Sequence, residues 1–247
     1  MIHSLLFFAS LLSCVTADRV QKSEARTNLG TAYLKEGNTP GAVQALRQAA
    51  ALNPQNATAW ERLALAYMAS GAHDESEDAF LRSIKLGTSM EPSRVNYNYG
   101  LLLLKVERYD DALEQFDITL ADLTYRMPAK ALNSKGFTLF TMGRHDEAID
   151  TLTKAIRKVP KLCPARFHRG LAYHAKADHP RALDDFETVI QTCGDEAPGA
   201  YFHAAQALFP LNRPEDACNY LRTAAREANN KELSREVSKW LTKECGE

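Results

Sequence analysis

The stretch GFTLFTMGRHDEAIDTLTKAIRKVP, residues 136–160, holds two helical patterns separated by a glycine turn. Gly136, Leu139 and Phe140 recur at the three- and four-residue spacing of one helix face, and Ala148, Leu152 and Ala155 do the same for a second. Gly143 falls between them, where the chain must reverse, and Pro160 follows the second helix as a stop signal. The small residues have a steric meaning. Gly136 and Ala148 fall where two antiparallel helices cross, and only small side chains let the backbones approach until ridges enter grooves.

The same register recurs on both sides with a period of about 34 to 36 residues, the length of a tetratricopeptide helix-turn-helix unit. The first unit has Leu29-Gly30, Tyr33, Gly37, Ala42, Leu46, Ala49 and Pro54. The second has Trp60, Leu63-Ala64, Tyr67, Gly71 and Phe80, with Ser76 and Ser83 where small Ala residues are usual. The third reads Tyr99-Gly100, Leu103, Ala112 and Phe116, the fifth Gly170, Tyr173, Ala182 and Phe186, and the sixth Ala204-Ala205, Leu208, Ala217, Leu221 and Ala224. A single unit leaves its apolar face wet, so stability must come from stacking. After the sixth unit, Leu233, Val237, Trp240 and Leu241 recur at helical spacing, with Lys231, Glu232, Arg235, Glu236 and Lys239 on the other face. This pattern predicts a polar-backed capping helix.

The expected fold is therefore all-α: a right-handed superhelical solenoid of six tetratricopeptide helix pairs and a C-terminal capping helix. Expected boundaries are 1–13 for a signal peptide, 14–22 for a lipidated tether, 23–228 for the repeats and 229–247 for the cap. The repeats divide at about 23–56, 57–92, 93–128, 129–162, 163–197 and 198–228. Composition agrees: apolar residues make up 45% of 247, and 12 Gly and 10 Pro are few enough to permit long helical runs. The 30 basic and 31 acidic residues are interspersed, giving a net charge of -1, so no footprint for nucleic acid is visible.

Ser4 to Leu12 (SLLFFASLL) is an apolar run too short to span a bilayer as a helix and suited to the core of a signal peptide. Leu11-Leu12-Ser13-Cys14 then resembles a bacterial lipobox, which predicts lipidation of Cys14 and anchoring to a membrane. Only Met1-Ile2-His3 precedes the run, without Lys or Arg. Val15-Thr16-Ala17 offers the alternative of ordinary signal-peptidase cleavage before Asp18.

Setting Cys14 aside leaves Cys163, Cys193, Cys218 and Cys245. In an exported chain an even number suggests disulfides. Cys163 opens the first helix of repeat five and Cys193 closes its second, so antiparallel packing brings them together. Cys218 opens the second helix of repeat six and Cys245 ends the cap behind it. Each bridge would close about 30 residues, for which chain entropy gives roughly 3 to 4 kcal/mol. Buried free thiols are the alternative. No Cys-x-x-Cys spacing for zinc or dithiol chemistry occurs.

No Gly-rich phosphate loop, Gly-x-Ser-x-Gly elbow or His-Glu-x-x-His helix occurs either, so we expect no active site, cofactor, metal or small-molecule substrate. His168 and His174, six apart, fall on different helix faces; they and His179 and His203 read as satisfied or solvated histidines. Asp110-Asp111, Asp184-Asp185 and Glu215-Asp216 read as charges at the starts of second helices, complementing the helix dipole. Function is expected on the concave face, built from the second, fifth, ninth, twelfth and thirteenth positions of each first helix. Those positions give Leu65 and Met68, then Tyr97, Leu101 and Leu104, then Asn133, Phe137 and Phe140, then Phe167, Leu171 and His174, and finally Phe202 and Phe209. Some of these, Leu101 and Leu171 above all, are expected in the core. An apolar strip of this kind marks a partner-binding groove. Repeat one supplies Glu24, Thr27, Thr31 and Lys35, so the groove should be polar at that end.

One stretch is more specific than the repeat motif. Asn98-Tyr99-Gly100, Arg108-Tyr109-Asp110-Asp111-Ala112, Tyr125, Pro128-Ala129 and Asn133-Ser134-Lys135-Gly136 follow one another in an order and spacing that resemble the type IV pilus pilotin lipoproteins, the PilF, PilW and Tgl family. The resemblance implies an outer-membrane lipoprotein, on the periplasmic face, that binds the secretin PilQ and promotes its multimerisation or stability. It also implies paired cysteines in the later repeats, as in some family members. A periplasmic tetratricopeptide adaptor for cell-wall or envelope-assembly proteins is the alternative that shares the signal and the fold.

Overall fold

The computed structural model describes residues 16–87, 92–194, 198–228 and 230–246; the predicted signal peptide and Cys14 lie outside the described residues. The described residues form thirteen α-helices and a closing π-helical turn. The chain divides into two compact units, Met1–Val95 and Asn96–Glu247. The first contains α1 (Ala17–Lys35), α2 (Thr39–Leu52), α3 (Ala57–Ser70), α4 (His73–Leu86) and the first turn of α5 (Pro92–Lys105). The second contains the rest of α5, followed by α6 (Tyr109–Ala121), α7 (Pro128–Thr141), α8 (His145–Lys158), α9 (Cys163–Ala175) and α10 (His179–Cys193). It ends with α11 (Pro198–Leu208), α12 (Pro214–Glu227), α13 (Lys231–Trp240) and the π turn Leu241–Cys245. None of the described helices is long and apolar enough to cross a membrane.

One contact repeats in every pair. The small residue at the eighth position of the first helix faces a large residue sixteen positions later, on the second. A methyl group added at Gly136 would lie 2.5 Å from Leu152 Cγ, and one added at Gly100 or Gly170 would lie 2.7 Å from the ring of Phe116 or Phe186. Leu46, Phe80, Phe116, Leu152, Phe186 and Leu221, the six large residues of this set, are all fully buried. Burial of each removes an aliphatic or aromatic side chain from water, about 1.5 to 3 kcal/mol apiece. So are Ala42, Ser76, Ala112, Ala148, Ala182 and Ala217, which open the crossing from the second-helix side.

The two serines that depart from the repeat pattern are satisfied within this packing. Ser76 Oγ donates to the Ala64 carbonyl at 2.8 Å and Ser83 Oγ donates to the Ala57 carbonyl at 2.9 Å. Each hydroxyl fits the space of an alanine and finds an acceptor on the partner helix, so its burial leaves no orphan polar group.

The turns between paired helices are also uniform. Gly37, Gly71 and Gly143 adopt φ of 74°, 81° and 74°, and the equivalent positions in the other repeats put Glu107, Ala177 and Asn212 at 62°, 59° and 58°. The left-handed region penalises a residue with a Cβ, least so for Asn, so Glu107 and Ala177 hold backbone strain that stacking sustains.

Both ends of the repeat array are helical. Helix α1 begins at Ala17, so the predicted tether is helical over most of its length. Thr16 caps the helix by accepting from the Arg19 amide at 3.4 Å, Lys22 pairs with Asp18 at 2.8 Å, and Arg19 reaches the Ala51 carbonyl at 3.1 Å. The cap is α13 with its π turn: Val237 is fully buried, and Leu233, Trp240 and Leu241 pack on the core of the second unit.

Gly136→Ala should lower unfolding stability in urea by about 1 to 3 kcal/mol, because the fully buried Leu152 would have to shift to admit the methyl group. Ala177→Gly should leave stability unchanged or raise it by up to about 1 kcal/mol, because it relieves the turn.

Candidate partner-binding face

In the second unit the first helices α5, α7 and α9 present a half-buried aromatic row: Tyr97, Phe137, Phe140 and Phe167. The rings are held by neighbours. Tyr97 lies 6.0 Å from Phe116 and 6.1 Å from Tyr125, and its hydroxyl meets Ser134 Oγ at 3.3 Å. Phe137 lies 4.6 Å from the His168 ring, tilted by 32°, and Phe167 lies 6.0 Å from His168 and 5.5 Å from His203. Leu101, Leu104, Asn133, Leu171 and His174 are half-buried on the same three helices, and Leu171 packs against the core cluster of repeats five and six. Aromatic side chains with few rotamers lose little freedom when a partner covers them, which suits such a surface to recognition.

Phe202 departs from the expected groove. It is 7% exposed, lies 6.2 Å from Trp240 and belongs to the core beneath the cap. Phe209 follows α11 and rests 5.6 Å from the Trp240 ring. The cap therefore takes the place of a next repeat and covers the positions that are concave elsewhere.

Leu65 and Met68 lie in the first unit on α3, half-buried. Around α1 that unit presents polar groups. Glu24 and Lys35 are exposed and Thr31 is half-buried, but Thr27 is buried, its hydroxyl donating to the Ser23 carbonyl at 2.8 Å. Asn56 Nδ2 donates to Ser23 Oγ at 3.1 Å, and Glu24, Asn28, Asn53 and Asn56 line a cleft of about 480 Å³. Glu61, which no sequence motif singles out, is fully buried at the fifth position of its helix and accepts from Arg94 Nε and Nη2 at 3.0 and 2.9 Å.

The acidic pairs divide. Asp110-Asp111 and Glu215-Asp216 occupy first turns. Asp184-Asp185 sit in the middle of α10, and the dipole does not explain them. Asp185 is buried and accepts from Arg169 Nε and Nη2, both at 2.7 Å, while Arg169 Nη1 donates to Thr153 Oγ1 at 3.0 Å. The pair is structural: a charge taken from water and given a bidentate partner.

The cysteines pair as Cys163 with Cys193 and Cys218 with Cys245, with Cα separations of 6.7 and 5.9 Å. The first bridge ties the ends of repeat five, beside Phe167; the second ties the cap to α12.

Histidines contribute more to this face than their sequence positions indicated. His168 Nδ1 is 2.9 Å from Asn133 Oδ1 and His203 Nδ1 is 2.8 Å from Gln206 Oε1, distances at which each ring donates to an amide oxygen. Burial pushes both imidazoles down to about 4. His174 is lowered by burial and by neighbouring His179, whose ring is 5.1 Å away.

The family profile described as tetratricopeptide repeat matches residues 27–91, 97–162 and 138–199, more than half of the chain. The chain belongs to the tetratricopeptide repeat family. Among its relatives is the type IV pilus assembly protein PilF of Pseudomonas aeruginosa, 25% identical over 162 residues that make up 62% of this chain and 64% of that protein. The chain thus spans slightly less than two thirds of the length of that relative. The solved structure of PilW, described as a widely conserved type IV pilus biogenesis factor, superposes with a TM-score of 0.79 at 20% identity, covering 88% of this chain and 99% of PilW. That of Pseudomonas aeruginosa PilF gives 0.75 at 18% identity, covering 90% and 99%. At those identities the structures establish the shared fold.

Lowered histidine values carry a sign. The unfolded chain binds protons near 6.5 and the folded one near 4, so the stability from neutral His168 and His203 is full above about pH 6.5 and falls as pH drops toward 4. Thermal unfolding at pH 5 should show a loss of roughly 1 to 2 kcal/mol per histidine relative to pH 7.5. The His168→Gln/His203→Gln variant should flatten that dependence.

Proposed function

We propose that this protein is an outer-membrane pilotin: a lipoprotein anchored through Cys14 on the periplasmic face, whose concave second unit binds a type IV pilus secretin, PilQ, and promotes its multimerisation. The observation that carries the reading is the aromatic row Tyr97, Phe137, Phe140 and Phe167, a rigid apolar surface on helices locked by their own repeats. Two of the similar proteins, PilF and PilW, are described as type IV pilus proteins, and the solved structure of each shares this fold, which supplies the biological setting. Two disulfides suit an oxidising compartment such as the periplasm. Cys14 would act as a tether, and the repeats as a scaffold that holds an extended secretin segment while subunits associate.

The groove recognises by shape and desolvation. A segment laid across α5, α7 and α9 would meet Tyr97 first and Phe167 last, with Asn133 the polar position within the row. Tyr97 is also a packing residue, through Phe116, so it is the poorer site for a test.

Phe137→Ala/Phe140→Ala should weaken binding to purified secretin by about tenfold or more while the helical circular-dichroism spectrum is kept, since aromatic anchors typically carry over about 1 kcal/mol each. Unchanged binding would move the partner to another face. Labelled palmitate should enter the wild-type protein and not Cys14→Ala; equal labelling would remove the anchor from this account.

A further inference from the structure

A second recess lies away from the aromatic row, where the long connection between α6 and α7 passes the end of α8. It is a cleft of about 490 Å³ whose apolar lining includes Leu120, Leu123 and Leu132 and whose basic lining is Lys154, Arg157 and Lys158. Leu123 is 97% exposed, far more than any other large apolar residue described. The three cations share one face of α8, at the three- and four-residue spacing that places side chains side by side. None of them forms an ion pair among the described residues, although ion pairs are frequent elsewhere in the chain. The acid that lines the cleft, Asp122, is already engaged, accepting from the Thr124 amide at 2.8 Å and from its hydroxyl at 2.7 Å.

Basic residues at a helix C-terminus complement its dipole, and that alone explains Arg157 and Lys158. It does not explain why they border a recess with an apolar lining and a fully presented leucine. An isolated exposed leucine is ordinary, but one set in a concave site with convergent charges of a single sign is the form of a binding site.

We infer that this cleft docks a short acidic segment of a partner protein, with one apolar side chain seated against Leu120 and Leu132 and flanking carboxylates on Lys154, Arg157 and Lys158. The volume accommodates a few side chains and is a recess, which fits an inserted peptide better than it fits a bilayer surface. Charge complementarity sets the chemistry of the occupant: the site offers three positive groups and no free acid. Leu123 offers the seated side chain a further apolar contact at the cleft.

Fluorescence anisotropy of the full-length protein with a short labelled peptide alternating Glu with Leu and Phe tests this directly. The peptide should bind saturably, and its counterpart with every Glu replaced by Gln should bind about tenfold more weakly or worse. Lys154→Glu/Lys158→Glu should lose binding to a similar degree, Lys154→Arg/Lys158→Arg should retain it, and Leu123→Asp should weaken it. Thermal melts of each variant separate lost binding from lost folding. Equal binding of the Gln peptide, indifference to the charge reversal, or no binding at all would overturn the proposal. Sedimentation with phosphatidylglycerol vesicles that depends on the two lysines, without peptide binding, would overturn it in favour of a membrane surface.

Discussion

Every helix pair in this protein depends on one steric condition: a residue no larger than alanine at the eighth position, against a buried leucine or phenylalanine sixteen positions on. Gly30, Ala64, Gly100, Gly136, Gly170 and Ala205 meet it on one side and Leu46, Phe80, Phe116, Leu152, Phe186 and Leu221 on the other. Close approach at that point lets the second helix return antiparallel, which sets the geometry of the turn. The turn is demanding enough to hold Glu107 and Ala177 in the left-handed region. Because each pair buries only part of its apolar surface, the rest is covered, within each unit, by a neighbouring pair and, at the end of the second unit, by α13.

The same condition produces the candidate site. Within the second unit, α7 and α9 each commit one face to their own second helix and another to a neighbouring pair, and the remaining face is left open. In the second unit those positions hold Tyr97, Phe137, Phe140 and Phe167, steadied by ring contacts, by His168 and by His203. The cystine at Cys163 and Cys193 ties the helix pair that holds Phe167. One largely buried ionic pair belongs to the same helix pair as Phe167: Asp185 with Arg169, a pairing that leaves neither charge uncompensated.

The fold was legible because its cause is local and periodic: small and large residues at fixed intervals announce the crossings, and Ser76 and Ser83 fit because a serine is nearly the size of the alanine it replaces. The binding face was less legible because core and groove use the same helical positions. Phe167 and Phe202 both occupy the fifth position, yet Phe202 is core, because a cap follows it where Phe167 is followed by another repeat. The place of Asp184-Asp185 was hidden for a different reason: a pair of acids looks the same at a helix start and in its middle until the register of α10 is fixed. The basic cleft had a signal, the spacing of Lys154, Arg157 and Lys158, but its apolar half comes from a connection outside the repeat pattern.

The central claim is that α5, α7 and α9 of the second unit form the partner-binding face. Amide hydrogen exchange of the full-length protein, with and without saturating secretin, measures it most directly. The account predicts added protection along α5, α7 and α9 with little change in α6, α8 and α10. Protection gained on those second helices, with none on the first, would contradict it.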